Sequence, residues 1–347
     1  MKVNTLNTLI LKNPSQKDIE TAATFLQEGK LVVFPTETVY GLGASALDET
    51  AASKIYQAKG RPSDNPLIIH LASAKDTGKY AEVSPCFEKL AKLFMPGPLT
   101  VVLPKKSCIP YSVTGGLDTV AVRIPSHPIA HSLLLAAQVP VAAPSANQSG
   151  RPSCTSAEHV IEDMNGKVDI IIDGGASDLG LESTILLPRG ENEVVLLRPG
   201  AITIEMLTQN GFFVSLDKAV TEKPTADEKP LAPGMKYRHY APKASLILLD
   251  GSFDAISTFM KTSAPDDSIA YLCYDEMKEY MADKKAIFLG SYNDSLLQAH
   301  NLFDSLRKLD QDETISTIYA PLPSQAHIGL ALYNRLLKAA GYTVKKI

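Results

Sequence analysis

Cysteine is scarce and scattered. Cys86, Cys108, Cys154 and Cys273 are the four in 347 residues, and no two form a C-x-x-C pair. This spacing argues against a zinc cage or a disulfide framework and for a reducing compartment, so the expected location is the cytoplasm. Long apolar runs are also missing. No window approaches the roughly 18 apolar residues of a membrane-spanning helix, and the opening MKVNTLNTLILKNPSQ lacks the apolar core of a secretory leader.

Positive charge is not in excess, since the formal net charge is -4. A protein that coats nucleic acid is thereby disfavoured, because affinity for phosphate backbones comes mostly from Lys and Arg. A basic cleft would have to be local. With 45% hydrophobic and 21% charged residues the composition is that of an ordinary globular protein, and 347 residues suggest two domains.

Several catalytic signatures are absent: a Walker A loop, a G-x-S-x-G elbow and an H-E-x-x-H helix. GLGASA (41–46) fits G-x-G-x-x-A, but the position about twenty residues on falls in the cationic KGRPSD loop, where a dinucleotide fold needs an acidic strand end. Its glycines are read as permitting a tight turn. HPIAH sets His127 and His131 four apart without an evident third ligand, so capping and packing are expected there. In APSAN, Ser145 is not read as a nucleophile. Ser145 and Asn147 do project from one face of a strand end, where they can meet phosphate or ribose oxygens.

What is present begins with a helical pattern over residues 18–29, closing on Gly29. A broken strand follows in KLVVFPTETVYGLG, then apolar β-type runs in PLIIHLA, LTVVLP, TVAVRIP, VPVAAPSAN, VDIIIDGG, STILLP and EVVLLRPG. Helical stretches lie between some of them (ETAASKIYQAKG, SPCFEKLAKLF, HPIAHSLLLAAQ), which predicts a mixed α/β domain ending near residue 205. Residues 217–243 turn polar and proline-rich. The first part reads as a solvated linker, but LAPGMKYRHYAP concentrates Tyr, His, Lys and Arg beyond what a spacer needs. Beyond it, four apolar runs alternate with helices, predicting a small parallel Rossmann-like sheet without a nucleotide fingerprint.

The densest chemistry is in AKGRPSDNPLIIH (58–70), where Lys59 and Arg61 stand two apart beside Pro62. Other polar residues end or open apolar runs in the same way: His70, Arg123, Ser145 with Asn147, Ser183 with Thr184, and Arg198. Polar groups at the ends of buried strands line the crevices where α/β folds bind ligands. Three arginines and a lysine there call for more than one anionic group.

PTETVYGLG, AKGRPSDNPLIIH, PGPLTVVL, GLDTVAVRIPSHPIA, VAAPSANQSGRPS, DGG with ESTI, and LLRPG resemble, in order, the motifs of the YrdC-type threonylcarbamoyl-AMP synthases. LAPGMKYRHYAP with a Rossmann-like tail resembles the longer, two-domain form. The fold this implies is α/β: a YrdC-like mixed twisted sheet with helices (1–210), a linker and lid over the active site (211–243), and a smaller Rossmann-like parallel α/β domain (244–347).

The resemblance implies a nucleotidyltransferase that makes threonylcarbamoyl-AMP and pyrophosphate from L-threonine, bicarbonate or CO2, and ATP. Its product passes to a downstream tRNA threonylcarbamoyl-transferase machinery. By the same resemblance Lys59, Arg61, Ser145 and Asn147 form the catalytic centre. Thr36, Tyr40, His70, Arg123 and Ser183 contact threonine. Ser63, Thr119, Ser153, Arg198, Lys236, His239 and Tyr240 complete the ATP site. Mg2+ is expected to ride on the nucleotide, with no metal held by the protein alone. An RNA-binding or ribosome-associated module is the alternative, disfavoured by the net charge, with tRNA contact at most transient and no membrane role. A carbamoyltransferase of the hydrogenase-maturation type needs acylphosphatase and zinc-finger segments that this sequence lacks.

Overall fold

Residues 6–223, 230–233, 235 and 239–347 are described in the computed structural model; Lys236 therefore lies outside the described residues. In chain order the strands are β1 (Leu9–Lys12), β2 (Val32–Phe34), β3 (Gly41–Ser45), β4 (Ile68–His70), β5 (Leu99–Pro104), β6 (Thr119–Arg123), β7 (Val141–Ala142) and β8 (Ile170–Asp173), followed by β9 (Thr184–Pro188), β10 (Glu193–Arg198) and β11 (Phe213–Leu216). The later ones are β12 (Ser245–Asp250), β13 (Ile269–Cys273), β14 (Lys285–Phe288), β15 (Thr317–Pro321) and β16 (Val344–Lys346).

Among the described residues, the first eleven strands make one sheet, ordered β1-β8-β2-β3-β7-β4-β6-β5-β9-β10-β11, and the last five a second, ordered β14-β13-β15-β12-β16. The first sheet is mixed, with parallel pairs such as β4–β6 and antiparallel ones such as β5–β6. The second is parallel throughout. The α/β expectation of a mixed sheet followed by a smaller parallel one holds.

The chain divides into two compact units. The first comprises Met1–Ser149, Ser153–Asp178 and Glu182–Lys236; the second comprises Gly150–Pro152, Leu179–Leu181 and Tyr237–Ile347. Residues Phe213–Leu216 continue the first sheet as β11, parallel to β10.

Local sequence explains the elements that matter for the site. The helix Gln16–Gln27 opens on a capping box in which Ser15 and Asp18 satisfy each other's backbone N–H groups. Its apolar side, with Ile19 and Leu26, packs with Val32, Phe34, Leu133, Ile170 and Ile172 into one core. Each such side chain contributes about 1.5–3 kcal/mol by leaving water. The helix Glu49–Lys59 starts at Asp48 and stops at Gly60, whose φ of 60° a side chain would strain. That stop fixes Lys59 as the last helical residue. At HPIAH, His127 caps the helix Pro128–Ala137, its ring accepting from the Ile129 N–H at 3.2 Å, as the capping expectation required.

Candidate active site

Strand register places the scattered polar residues on one face. Residues opposed in a ladder share a face, and so do residues two apart along a strand. His70 opposes Arg123, and Arg123 opposes Thr100. Thr100 opposes Ile185, which also opposes Arg198. On the other side His70 opposes Val141, and the bridge from Gly41 to Ser145 keeps the same parity. Thr119, His70, Arg123, Ser145, Ser183 and Arg198 therefore all project from one face of the first sheet. At Gly43 on that face, a Cβ would come within 2.8 Å of Val141 and 2.9 Å of the Phe34 ring.

The first group forms around Lys59. This ammonium, 2% exposed, donates to the carbonyls of Ser145, at 2.5 Å, and Asn147. The Ser145 hydroxyl donates to the Asn147 side-chain oxygen, and the Ser149 N–H returns to the Lys59 carbonyl at 2.9 Å. Arg61 donates to other acceptors, the carbonyls of Asn65 at 3.3 Å and Pro66 at 3.1 Å. Helix end and loop thus hold the two cations on different backbone acceptors.

The second group forms around Arg123. Its guanidinium lies 2.8 Å from the Glu37 carboxylate and 3.4 Å from the Thr36 hydroxyl, and its Nε is buried without a hydrogen-bond partner. Thr36 also donates to the Val39 carbonyl at 2.6 Å, which shapes the PTET turn. His70 is buried beside this pair, its ring edge-on to Phe34 with 6.0 Å between centroids. Burial, with help from the Arg123 charge, pushes its imidazole down to about 3, so the ring is neutral at neutral pH.

Tyr40 joins these parts. Its N–H and C=O bond Cys154 and Ala146, and its hydroxyl donates to the Gly175 carbonyl at 2.6 Å while accepting from the Gly174 N–H. Burial pushes this phenol far up, and it stays protonated. A Cβ at Gly174 would come within 2.5 Å of Pro35, so the DGG turn and the PTET turn need that glycine to meet.

The third group lies farther along the face. The hydroxyls of Ser183 and Thr100 are 2.7 Å apart, and Arg198 donates to the Ser183 carbonyl at 3.0 Å and hydroxyl at 3.1 Å. Ser153 is buried and donates to Glu182. Thr119 is half-buried and Ser63 exposed. The apolar residues of the same face, Ile68, Val102, Ala121 and Ile185, are covered by Ala232 and Met235 from the proline-rich segment. His239 and Tyr240 belong to the second unit, where the Tyr240 ring stacks on Phe303 at 5.2 Å with the Arg335 guanidinium 5.5 Å from its centre.

Glu37, Thr100 and Glu182 went unassigned in the sequence. Their signal was present: Glu37 and Glu182 are charges set inside otherwise apolar or hydroxyl-rich motifs, PTETVY and ESTI. Among the described residues no three His, Cys, Asp or Glu are grouped to hold a metal. Glu37 pairs with Arg123, and Glu182 accepts from Ser153.

Residues 24–200 match the Sua5/YciO/YrdC family, described as "Telomere recombination", and residues 202–341 match "Threonylcarbamoyl-AMP synthase, C-terminal domain". The threonylcarbamoyl-AMP synthase of Pyrococcus abyssi is 46% identical over 337 residues, covering 95% of this chain and 96% of that protein. The chain belongs to the threonylcarbamoyl-AMP synthase family. The Bacillus subtilis synthase is 42% identical over 326 residues, 93% of each chain. A crystal structure of P. abyssi Sua5 complexed with L-threonine superposes with a TM-score of 0.88 at 44% identity, covering 98% of this chain and 100% of that one. A P. abyssi Sua5 variant with an adjacent His–Tyr pair changed to alanine aligns with a TM-score of 0.88 at 43% identity, over 98% of each chain. Among the described residues no helix is long and apolar enough to cross a membrane.

Proposed function

We propose that this chain is the threonylcarbamoyl-AMP synthase that supplies threonylcarbamoyladenosine formation in tRNA, using L-threonine, bicarbonate or CO2, and ATP. The observation that carries this reading is likeness to synthases of that name along 95% of the chain; the single polar face is consistent with it.

The threonine amine captures the one-carbon donor as a carbamate. A carbamate oxygen then attacks the α-phosphorus of ATP, the bond to the β-phosphate oxygen breaks, and pyrophosphate leaves; with bicarbonate as donor, one water is released. Charge builds on the phosphoryl oxygens, so positioned cations matter more than a nucleophilic side chain. Lys59 and Arg61 neutralise those oxygens, while Ser145 and Asn147, tied to Lys59, orient the nucleotide. Mg2+ enters as part of the nucleotide substrate.

Arg123 receives the threonine carboxylate through its unpartnered Nε, and Glu37 keeps the guanidinium turned for it. Thr36, neutral His70 and Ser183 contact the amine and hydroxyl, and Tyr40 walls the pocket. Ser63, Thr119, Ser153 and Arg198 serve the nucleotide. Residues 1–210 do the chemistry; of the expected linker and lid 211–243, Phe213–Leu216 instead extend the first sheet, and the later part, with Lys236, His239 and Tyr240, closes over the site, because both carbamate and mixed anhydride decompose in water. The cytoplasm, where ATP and tRNA are found, is the proposed location, and a tRNA threonylcarbamoyl-transferase the proposed recipient.

Incubation with ATP, threonine and carbon-13 bicarbonate, followed by mass spectrometry, tests this. The expected product is threonylcarbamoyl-AMP carrying the heavy carbon. ATP consumed without a labelled product would overturn the reading.

A further inference from the structure

The second unit contains a cavity of about 620 Å³ that plays no part in the account above. Its walls come from segments at the carboxyl ends of four parallel strands: Asp250 and Phe253 at β12, Tyr274 after β13, Tyr292 and Gln298 after β14, and Ser324 after β15. In the order β13-β15-β12-β16, the chain leaves β12 for β13 on one side and leaves β15 for β16 on the other. The connections depart in opposite directions, and this reversal opens the crevice where open parallel sheets bind ligands.

The cavity is built for stacking. Tyr292 lies 4.9 Å from Phe253 and 5.1 Å from Tyr274, ring centre to ring centre, yet it remains 47% exposed. The turn that presents it is fixed from both sides. The Glu276 carboxylate accepts from the Ser291 hydroxyl at 2.6 Å and from the Tyr292 N–H at 3.0 Å. Gln298, only 2% exposed, donates its amide to the carbonyls of Ser291 at 2.6 Å and Tyr292 at 3.1 Å. A half-exposed ring backed by two aromatic rings, on a turn whose backbone is pinned by hydrogen bonds, is a platform for a planar ligand.

Charge narrows the ligand. Asp250 is the ionisable acid of the lining, and no Lys, Arg or His lines the cavity among the described residues. A phosphate would meet a carboxylate and no cation. A carboxylate at a strand end is suited instead to ribose hydroxyls, and the nearby Asn293 and Gln325 amides match the donor and acceptor edge of a purine.

We propose that this cavity binds an unphosphorylated purine nucleoside, with the base stacked on Tyr292 and the ribose hydroxyls donated to Asp250. The test is calorimetric titration of the full chain with adenosine, its ATP site first saturated with a non-hydrolysable ATP analogue and threonine. Adenosine is expected to bind one per chain, and AMP and a short single-stranded oligoadenylate at least about tenfold more weakly. Tyr292→Ala should weaken adenosine by about tenfold through lost stacking, and Asp250→Asn should weaken it too, both with unchanged melting temperature and synthase turnover. No adenosine binding, binding indifferent to Tyr292→Ala, or AMP or oligoadenylate binding as tightly as adenosine would each overturn the proposal.

Discussion

The Arg123 guanidinium and the Glu37 carboxylate form an ion pair of 2.8 Å in which the side chains are only 5% and 7% exposed. Removing one charge from such a pair leaves the other uncompensated, which costs about 3–5 kcal/mol. Glu37→Gln is therefore expected to lower stability by about 3 kcal/mol in chemical denaturation. Threonine, bringing its own carboxylate to Arg123, should restore part of the loss, so its stabilising effect should be larger in the variant than in the parent. Equal threonine-induced shifts in both proteins would argue against Arg123 as the carboxylate clamp.

His70 gives a pH dependence with a definite sign. Unfolded, its imidazole titrates near 6.5; folded, burial and Arg123 hold it near 3. Between these values the unfolded chain binds a proton that the folded chain does not, so acidification through the window favours unfolding. The slope is at most about 1.4 kcal/mol per pH unit. Above pH 6.5 the slope fades as the unfolded imidazole also loses its proton. Urea midpoints measured from pH 7 down to pH 4.5 should fall more steeply for the parent than for His70→Gln. Parallel curves would contradict the assignment.

Lys59 stands at the end of its helix with its ammonium on two carbonyls of the Ser145–Asn147 turn. Lys59→Met should cut pyrophosphate release by at least about a hundredfold, the scale expected for losing a charge aimed at the transition state. It should also cost stability, by about 1–3 kcal/mol, because two buried carbonyls lose their donor. Turnover within about threefold of the parent would refute the catalytic role.

The proline-rich segment needs a finer probe than truncation. Met235 packs with Ile68, Ala121 and Ile185, and Tyr240 packs on Phe303, so deleting 233–242 removes buried side chains as well as any lid. His239 is only half-buried. His239→Ala is expected to lower kcat/KM for ATP by about tenfold or more while the melting temperature changes little. Unchanged kinetics would remove His239 from the site.

The strands that build the site were legible because they are short, apolar and bounded by turn residues: PLIIHLA contains β4, TVAVRIP contains β6 and LTVVLP contains β5. VPVAAPSAN was legible only in part, since its paired strand is just Val141–Ala142 before the backbone turns toward Asn147. β1 escaped because LILK has no alternation and its partner β8 lies some 160 residues away, a pairing that exists only in the folded chain. β16, VKK, lies exposed and offers only Val344 as an apolar signal. The helix Phe253–Thr262 was hidden by a mixed polar stretch whose buried residues are Ile256 and Met260. The strand-end cations were visible in the sequence, and Glu37 was visible as a lone charge in PTETVY, but its pairing with Arg123, 86 positions away, exists only in the folded chain. What the letters could not give was parity, the fact that Ser145, His70, Arg123, Ser183 and Arg198 share a face, which follows only from the ladder registers.

The most direct test of the central claim is pyrophosphate release from ATP, followed with threonine and bicarbonate each withheld in turn, bicarbonate by thorough degassing. If the polar face joins a threonine carbamate to the α-phosphate, release requires both, and withholding either stops it. Release that continues without threonine, or without the one-carbon donor, would contradict the account.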